Sequence, residues 1–75
     1  MQSKLIVLRR SNLLTQQNVA DYLEIDLRTY QAKERGETQF KLNEMYLLSQ
    51  LFHKSIDEIF LDPNFMKHEI GEVEV

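Results

Sequence analysis

The stretch from Thr15 to Gly36 constrains this chain more than any other. Thr15 is suited to cap a helix by accepting a backbone N–H, and Val19, Ala20 and Leu23 then fall on one face at helical spacing. Ile25 breaks that period and belongs to a turn. Asp26 is suited to cap a second helix, in which Leu27, Tyr30 and Glu34 recur at three- and four-residue steps until Gly36 stops it. The pattern therefore predicts helices over Gln16 to Leu23 and Leu27 to Arg35, joined by a turn too short to let them separate.

The rest of the chain extends this helical reading. A first helix is predicted over about Lys4 to Ser11, with Leu5 and Leu8 inward and Arg9 and Arg10 leaving the core. The segment Leu42 to Phe52 reads as a fourth helix burying Leu42, Met45, Leu48 and Phe52. Tyr46, Leu47 and Leu51 widen its apolar stripe beyond what a lone surface helix needs. Phe40 is expected to anchor the loop before it. Ser55 and Glu58 carry the spacing of a capping box for a fifth helix, with Ile56, Ile59 and Phe60 completing the core and Leu61 left exposed. Asp62-Pro63-Asn64 closes the helical part because proline lacks an N–H and fixes φ. The division expected is a domain over 1–61 and a tail over 62–75. Glu72-Val-Glu-Val75 alternates with period two, which suits a short strand across a dimer, although a frayed terminus is the preferred reading.

Size and composition exclude several function classes. With 75 residues the chain makes one domain, near the lower limit for a helical core without disulfides or metal, and leaves little room for a deep pocket. It contains no cysteine, so thiolate zinc sites and disulfides are excluded. Its only early apolar run, Leu5 to Leu8, is too short for a signal peptide or a membrane span, and a soluble cytoplasmic protein without membrane association is expected. His53 and His68 lie far apart and lack a partnered carboxylate pattern, and no glycine-rich phosphate loop or nucleophile elbow is present. We expect no enzyme activity, metal, cofactor or small-molecule ligand.

The net charge of −3 is unevenly placed. Up to Lys41 the chain has seven bases against five acids, or +2; beyond it two bases meet seven acids, or −5. The helical half with the turn is thus mildly basic and the other half acidic, which orients a molecule on a polyanion while limiting its affinity.

The pattern Thr15-Gln16…Ala20…Leu23-x-Ile25…Tyr30…Glu34-Arg35-Gly36, preceded by Leu5 and Leu8-Arg9 and followed by Ser55-Ile56-Asp57-Glu58-Ile59-Phe60, resembles the XRE family. These are the lambda-repressor-like and Cro-like helix-turn-helix regulators of phages and bacteria. The likeness covers residues 5 to 60 without an insertion. It implies an all-α, compact five-helix DNA-binding domain whose third helix enters the major groove. With no ligand or protease domain in view, the chain is most similar to a stand-alone Cro-like or prophage regulator.

Roles follow from that resemblance residue by residue. Leu27, Arg28, Gln31 and Ala32 would face base edges, Arg28 as the strongest candidate because arginine bonds guanine O6 and N7 together. Gln16 matches the family glutamine that reaches a phosphate at a helix start, and Gln17, Arg10, Lys33, Arg35, Thr38, Gln39 and Lys41 are the other candidate phosphate contacts. Lys33 stands where the family has an apolar residue, so its stem is expected to cover the core while its ammonium snorkels outward. Arg9 is expected to pair with Glu34, tying the first helix to the third. Leu13, Glu24 and His53 stand at bends where the family often has glycine. An isologous dimer would use Leu47, Leu51, Ile59 and Leu61.

Two functions compete. The first is a transcriptional regulator, such as a repressor, reading a palindromic operator in double-stranded DNA as a homodimer. The alternative is a protein-interaction module, antirepressor or antitoxin-like, that keeps the fold with a weakened DNA face. The acidic half, Asp26 near the approaching phosphates and Glu37 in the loop motivate the alternative.

Overall fold

The computed structural model describes residues 1–61. Five helices follow one another: α1 Ser3–Ser11, α2 Gln16–Leu23, α3 Leu27–Arg35, α4 Leu42–Phe52 and α5 Ile56–Phe60. There is no strand among the described residues, and the fold is all-α. The expected tail and its Glu72–Val75 alternation lie outside the described residues.

The starts of these helices are written in the local sequence. Thr15 and Asn18 cap α2 reciprocally: the Asn18 N–H donates to Thr15 Oγ1 at 3.0 Å and the Thr15 N–H to Asn18 Oδ1 at 2.9 Å. Asp26 caps α3 by accepting the Thr29 N–H at 3.3 Å and also takes the Thr29 hydroxyl. At α5 the capping box is only half made. Ser55 accepts the Glu58 N–H at 3.1 Å, but the Glu58 carboxylate takes the Ser55 hydroxyl at 3.2 Å instead of the cap's backbone N–H.

The ends share one device. Each of the first four helices is followed within two residues by one in the left-handed region, and the N–H after it reaches back five residues to a helix carbonyl: Leu14 to Arg9, Ile25 to Ala20, Glu37 to Ala32 and Lys54 to Ser49. The left-handed residues are Leu13 (φ 56°), Glu24 (φ 59°), Gly36 (φ 88°) and His53 (φ 56°). Only one is glycine, so three of these locks close against a Cβ clash of about 1–2 kcal/mol each. Gly36 has a second reason to be glycine, because a Cβ there would lie 3.1 Å from the Met1 nitrogen. That approach is held by the Gln2 N–H, which donates to the Glu34 carbonyl at 2.9 Å.

The core contains Leu5 from α1, Val19, Ala20 and Leu23 from α2, Tyr30 from α3, Phe40 from the loop, Leu48 and Phe52 from α4 and Ile59 from α5. Phe40 packs edge-on to Tyr30 and tilted against Phe60. Three expectations are corrected. Arg9, expected to leave the core with Arg10, is 7% exposed, because its guanidinium folds back onto Glu34. Leu42 is 74% exposed, not buried, because Phe40 already fills the slot at the start of α4 and turns the first residue of the helix outward. Tyr46, one turn on, is exposed with it. Ile59 is 1% exposed inside this chain's own core and so is not a free dimer contact. The end of α5 is tied back to α1 by Lys4 Nζ, which donates to the Leu61 carbonyl at 2.5 Å.

Candidate nucleic-acid interface

Helices α2 and α3 form the closest-packed pair, and fully buried Ala20 is small enough to let α2 take a close neighbour. The turn between them is Glu24-Ile25-Asp26: Glu24 ends α2, the Ile25 N–H closes the lock on Ala20, and Asp26 opens α3. Their angle is set by two caps and a 3.0 Å backbone bond, with no loop to flex.

A buried polar network fixes α3 from behind. Glu34, 4% exposed, accepts from Arg9 Nε at 2.9 Å, Arg9 Nη2 at 3.3 Å, the Tyr30 hydroxyl at 2.6 Å and Gln16 Nε2 at 2.8 Å. Arg9 Nη1 donates to the Leu14 carbonyl at 3.0 Å, so α1, α2 and α3 meet in one cluster. No buried side-chain nitrogen or oxygen among the described residues lacks a partner. Burial alone would raise the Glu34 carboxyl, but the donors from Arg9, Tyr30 and Gln16 outweigh it and hold the group below the usual carboxylate range. The same carboxylate raises Arg9, and burial together with Glu34 pushes the Tyr30 hydroxyl up.

On the outward side of α3, Arg28 is exposed and has no hydrogen-bond or ion-pair partner among the described residues. Leu27, Gln31 and Ala32 are half-buried beside it. Gln31 Nε2 donates to Gln16 Oε1 at 3.0 Å, so the first residue of α2 and the middle of α3 are joined side chain to side chain. The Gln16 amide is therefore engaged at both ends inside the protein. Gln17 lies along its own helix, donating to Asp21 Oδ1 at 2.8 Å.

Lys33 departs from expectation. It is 6% exposed, and its ammonium turns inward to Glu44 Oε1 at 2.5 Å, 5.9 Å from the centre of the Phe40 ring. Its charge is taken up by Glu44 and is not presented to a phosphate, because its stem emerges on the core side of α3. Glu44 was not singled out in the sequence. Its signal was Lys33 itself, a cation at an apolar position, with Glu44 in the first turn of the next helix. Glu44 Oε1 also accepts the Lys41 N–H at 2.8 Å, which caps α4. Burial opposes ionisation of Glu44, and Lys33 and the Lys41 N–H reverse it, leaving the carboxyl below its usual range.

The remaining candidates are spread around this face. Arg10 is exposed and lines a shallow hollow with Leu13, Thr15 and Gln16. Arg35 is exposed but forks onto Glu37 at 2.7 and 3.2 Å, which offsets its charge. Thr38, Gln39 and Lys41 are exposed on the loop after α3. Leu47, Leu51 and Leu61 are half-buried on or after α4 and α5. Among the described residues there is no group of three His, Cys, Asp or Glu side chains placed to hold a metal, and no helix is long and apolar enough to cross a membrane.

No curated protein and no solved structure gives a match to the chain. A family model described as Helix-turn-helix matches residues 5–59, which takes in all of α2, the turn, α3 and α4 and most of α1 and α5. With that match added to the capped turn and the pinned third helix, the chain belongs to the helix-turn-helix family of XRE-type, lambda-repressor-like DNA-binding regulators.

Proposed function

We propose that the chain reads a palindromic operator as a homodimer, with α3 in the major groove. The observation that carries this reading is the two-sidedness of α3. Its inner face is locked by the Glu34 network, while Arg28 on its outer face is exposed without an internal partner. A rigid helix that presents an uncommitted guanidinium beside half-buried Leu27, Gln31 and Ala32 suits base-edge readout. Arg10, Gln17, Thr38, Gln39 and Lys41 surround it with donors for phosphates, and Arg35 joins them if DNA displaces Glu37. Leu47, Leu51 and Leu61 are the half-buried apolar residues from which a two-fold contact would be built.

A second reading draws on a specific observation. Lys33 is withdrawn to Glu44 and Arg35 is matched by Glu37, so two of the cations near α3 are already neutralised. That thin phosphate clamp suits a protein-interaction module of the antirepressor or antitoxin-like kind.

A random-site selection with the purified chain, then titration of the enriched duplex at rising salt, separates the two. Operator reading gives a palindrome with half-sites about one helical turn apart and affinity falling steeply with salt. Arg28→Ala should then lose about 1–3 kcal/mol of discrimination at one base pair per half-site. Absence of any enriched site sinks the operator reading and favours the interaction module.

A further inference from the structure

The hydrogen bonds behind α3 have a direction, and Glu34 sets it. A carboxylate only accepts. With Arg9 and Tyr30 already donating to it, Glu34 requires its remaining neighbour, Gln16, to present the NH2 end of its amide, as the 2.8 Å contact shows. That leaves the Gln16 carbonyl facing the other way, where it must accept, and Gln31 supplies an N–H at 3.0 Å. One N–H of Gln31 is thus engaged, and its Oε1 and second N–H remain for a partner.

We infer that Glu34 acts through Gln16 as a positioning residue for Gln31, and that this relay makes Gln31 select adenine over guanine in the groove. The inference rests on the operator reading above. Adenine offers a donor beside an acceptor, N6–H and N7, while guanine offers two acceptors, O6 and N7. A free glutamine amide can turn its NH2 to guanine and donate twice. A tethered one has a single N–H left, and its carbonyl meets guanine O6 oxygen to oxygen. The choice of base is made at Gln31, but its polarity comes from a carboxylate that is 4% exposed and one residue removed from it in the relay.

The test compares wild type, Gln16→Met, Gln31→Ala and the double variant in random-site selection, with thermal melts to establish that each is folded. Gln16→Met keeps the side-chain length, removes the relay and leaves the Arg9, Tyr30 and Glu34 contacts in place. Expected is an adenine preference of about tenfold at one position per half-site, lost in Gln31→Ala and reduced to about threefold or less in Gln16→Met at that same position. The double variant should be no worse there than Gln31→Ala. A Gln16→Met variant that weakens all sequences by one factor and keeps the preference assigns Gln16 to a phosphate and overturns the inference, as does a Gln31→Ala variant with every preference intact. The side-chain amide of Gln31 gives a readout without DNA. In the free protein it should be as ordered as the backbone by NMR relaxation and become mobile in Gln16→Met. If in wild type it moves as freely as the exposed amide of Gln39, the relay is overturned whatever the DNA result. An ordered amide with no enriched site removes the operator reading, and the base selection with it, leaving the relay as a link between helices.

Discussion

Lys33 and Glu34 are neighbours on α3, both are buried and both are ion-paired, yet the two pairs are built differently. Glu34 takes four donor contacts from Arg9, Tyr30 and Gln16, and the planar fork of Arg9 continues to the Leu14 carbonyl, so one carboxylate joins three helices. Lys33 and Glu44 meet through one ammonium and one oxygen, with the Lys41 N–H on that same oxygen. A buried charge inside a saturated network has no apolar substitute, because every partner would be left unmet. A pair of points can be exchanged for apolar volume, since its attraction does little more than offset its desolvation.

Arg9→Met is the harshest break of this comparison. It leaves the buried Glu34 carboxylate without its cation and the Leu14 carbonyl without its donor, and should cost about 3–5 kcal/mol, most of the stability of a domain this small. Thermal or urea unfolding measures it, and a melting temperature within a few degrees of wild type would contradict the network's importance.

Glu44→Ala comes next, at about 2–4 kcal/mol, lessened where the Lys33 stem can swing its charge toward water. The sharper experiment is the pair Lys33→Met with Glu44→Gln, which keeps an acceptor for the Lys41 N–H. We expect it within about 1 kcal/mol of wild type, or above it. The corresponding double change, Arg9→Met with Glu34→Gln, should show no such recovery. If both doubles recover alike, the contrast between fork and point fails.

Acid titration divides the two sites again. For Glu34 and Glu44 burial raises the carboxyl, and their donors outweigh it, so both are held below the ordinary 4.5 in the folded state. The unfolded chain therefore takes up these protons first. The stabilisation is fully present above about pH 5 and is lost as pH falls through the lower folded values, at about 1.4 kcal/mol per unit of depression. Equilibrium unfolding against pH should show a shallower acid limb in the Lys33→Met, Glu44→Gln double variant, with the Glu34 part intact.

The smallest effects concern the helix ends. Leu13 is 91% exposed with φ at 56°, so Leu13→Gly should relieve strain without losing packing and raise stability by about 0.5–1 kcal/mol. Gly36→Ala should lower it by about 1–2 kcal/mol, since φ is 88° and Met1 approaches the missing Cβ. Melting curves of the two variants should move in opposite directions.

Much of this architecture is local and was readable. Thr15, Asp26 and Ser55 accept N–H groups three residues ahead, and apolar spacing over Val19, Ala20 and Leu23 defines a buried face. The bends at Leu13, Glu24 and His53 were marked in the sequence by non-glycine residues where the family has glycine, and all three carry a positive φ. The resemblance to XRE regulators rested on the same registers, and the family match over 5–59 agrees with it.

The sequence by itself determined the five helices, the caps at Thr15, Asp26 and Ser55 and the short turn between α2 and α3, because these depend on hydrogen bonds and sterics within a few residues of chain. Only the tertiary structure decided where the long polar side chains ended. Periodicity places Lys33 on a helix but cannot say that Glu44, eleven residues on, would draw its ammonium inward. It cannot say that Phe40 would fill the slot expected of Leu42, or that Gln16 would join Glu34 to Gln31. Those outcomes depend on distances between helices, and a flexible side chain chooses its partner only after packing has set which charges lose water.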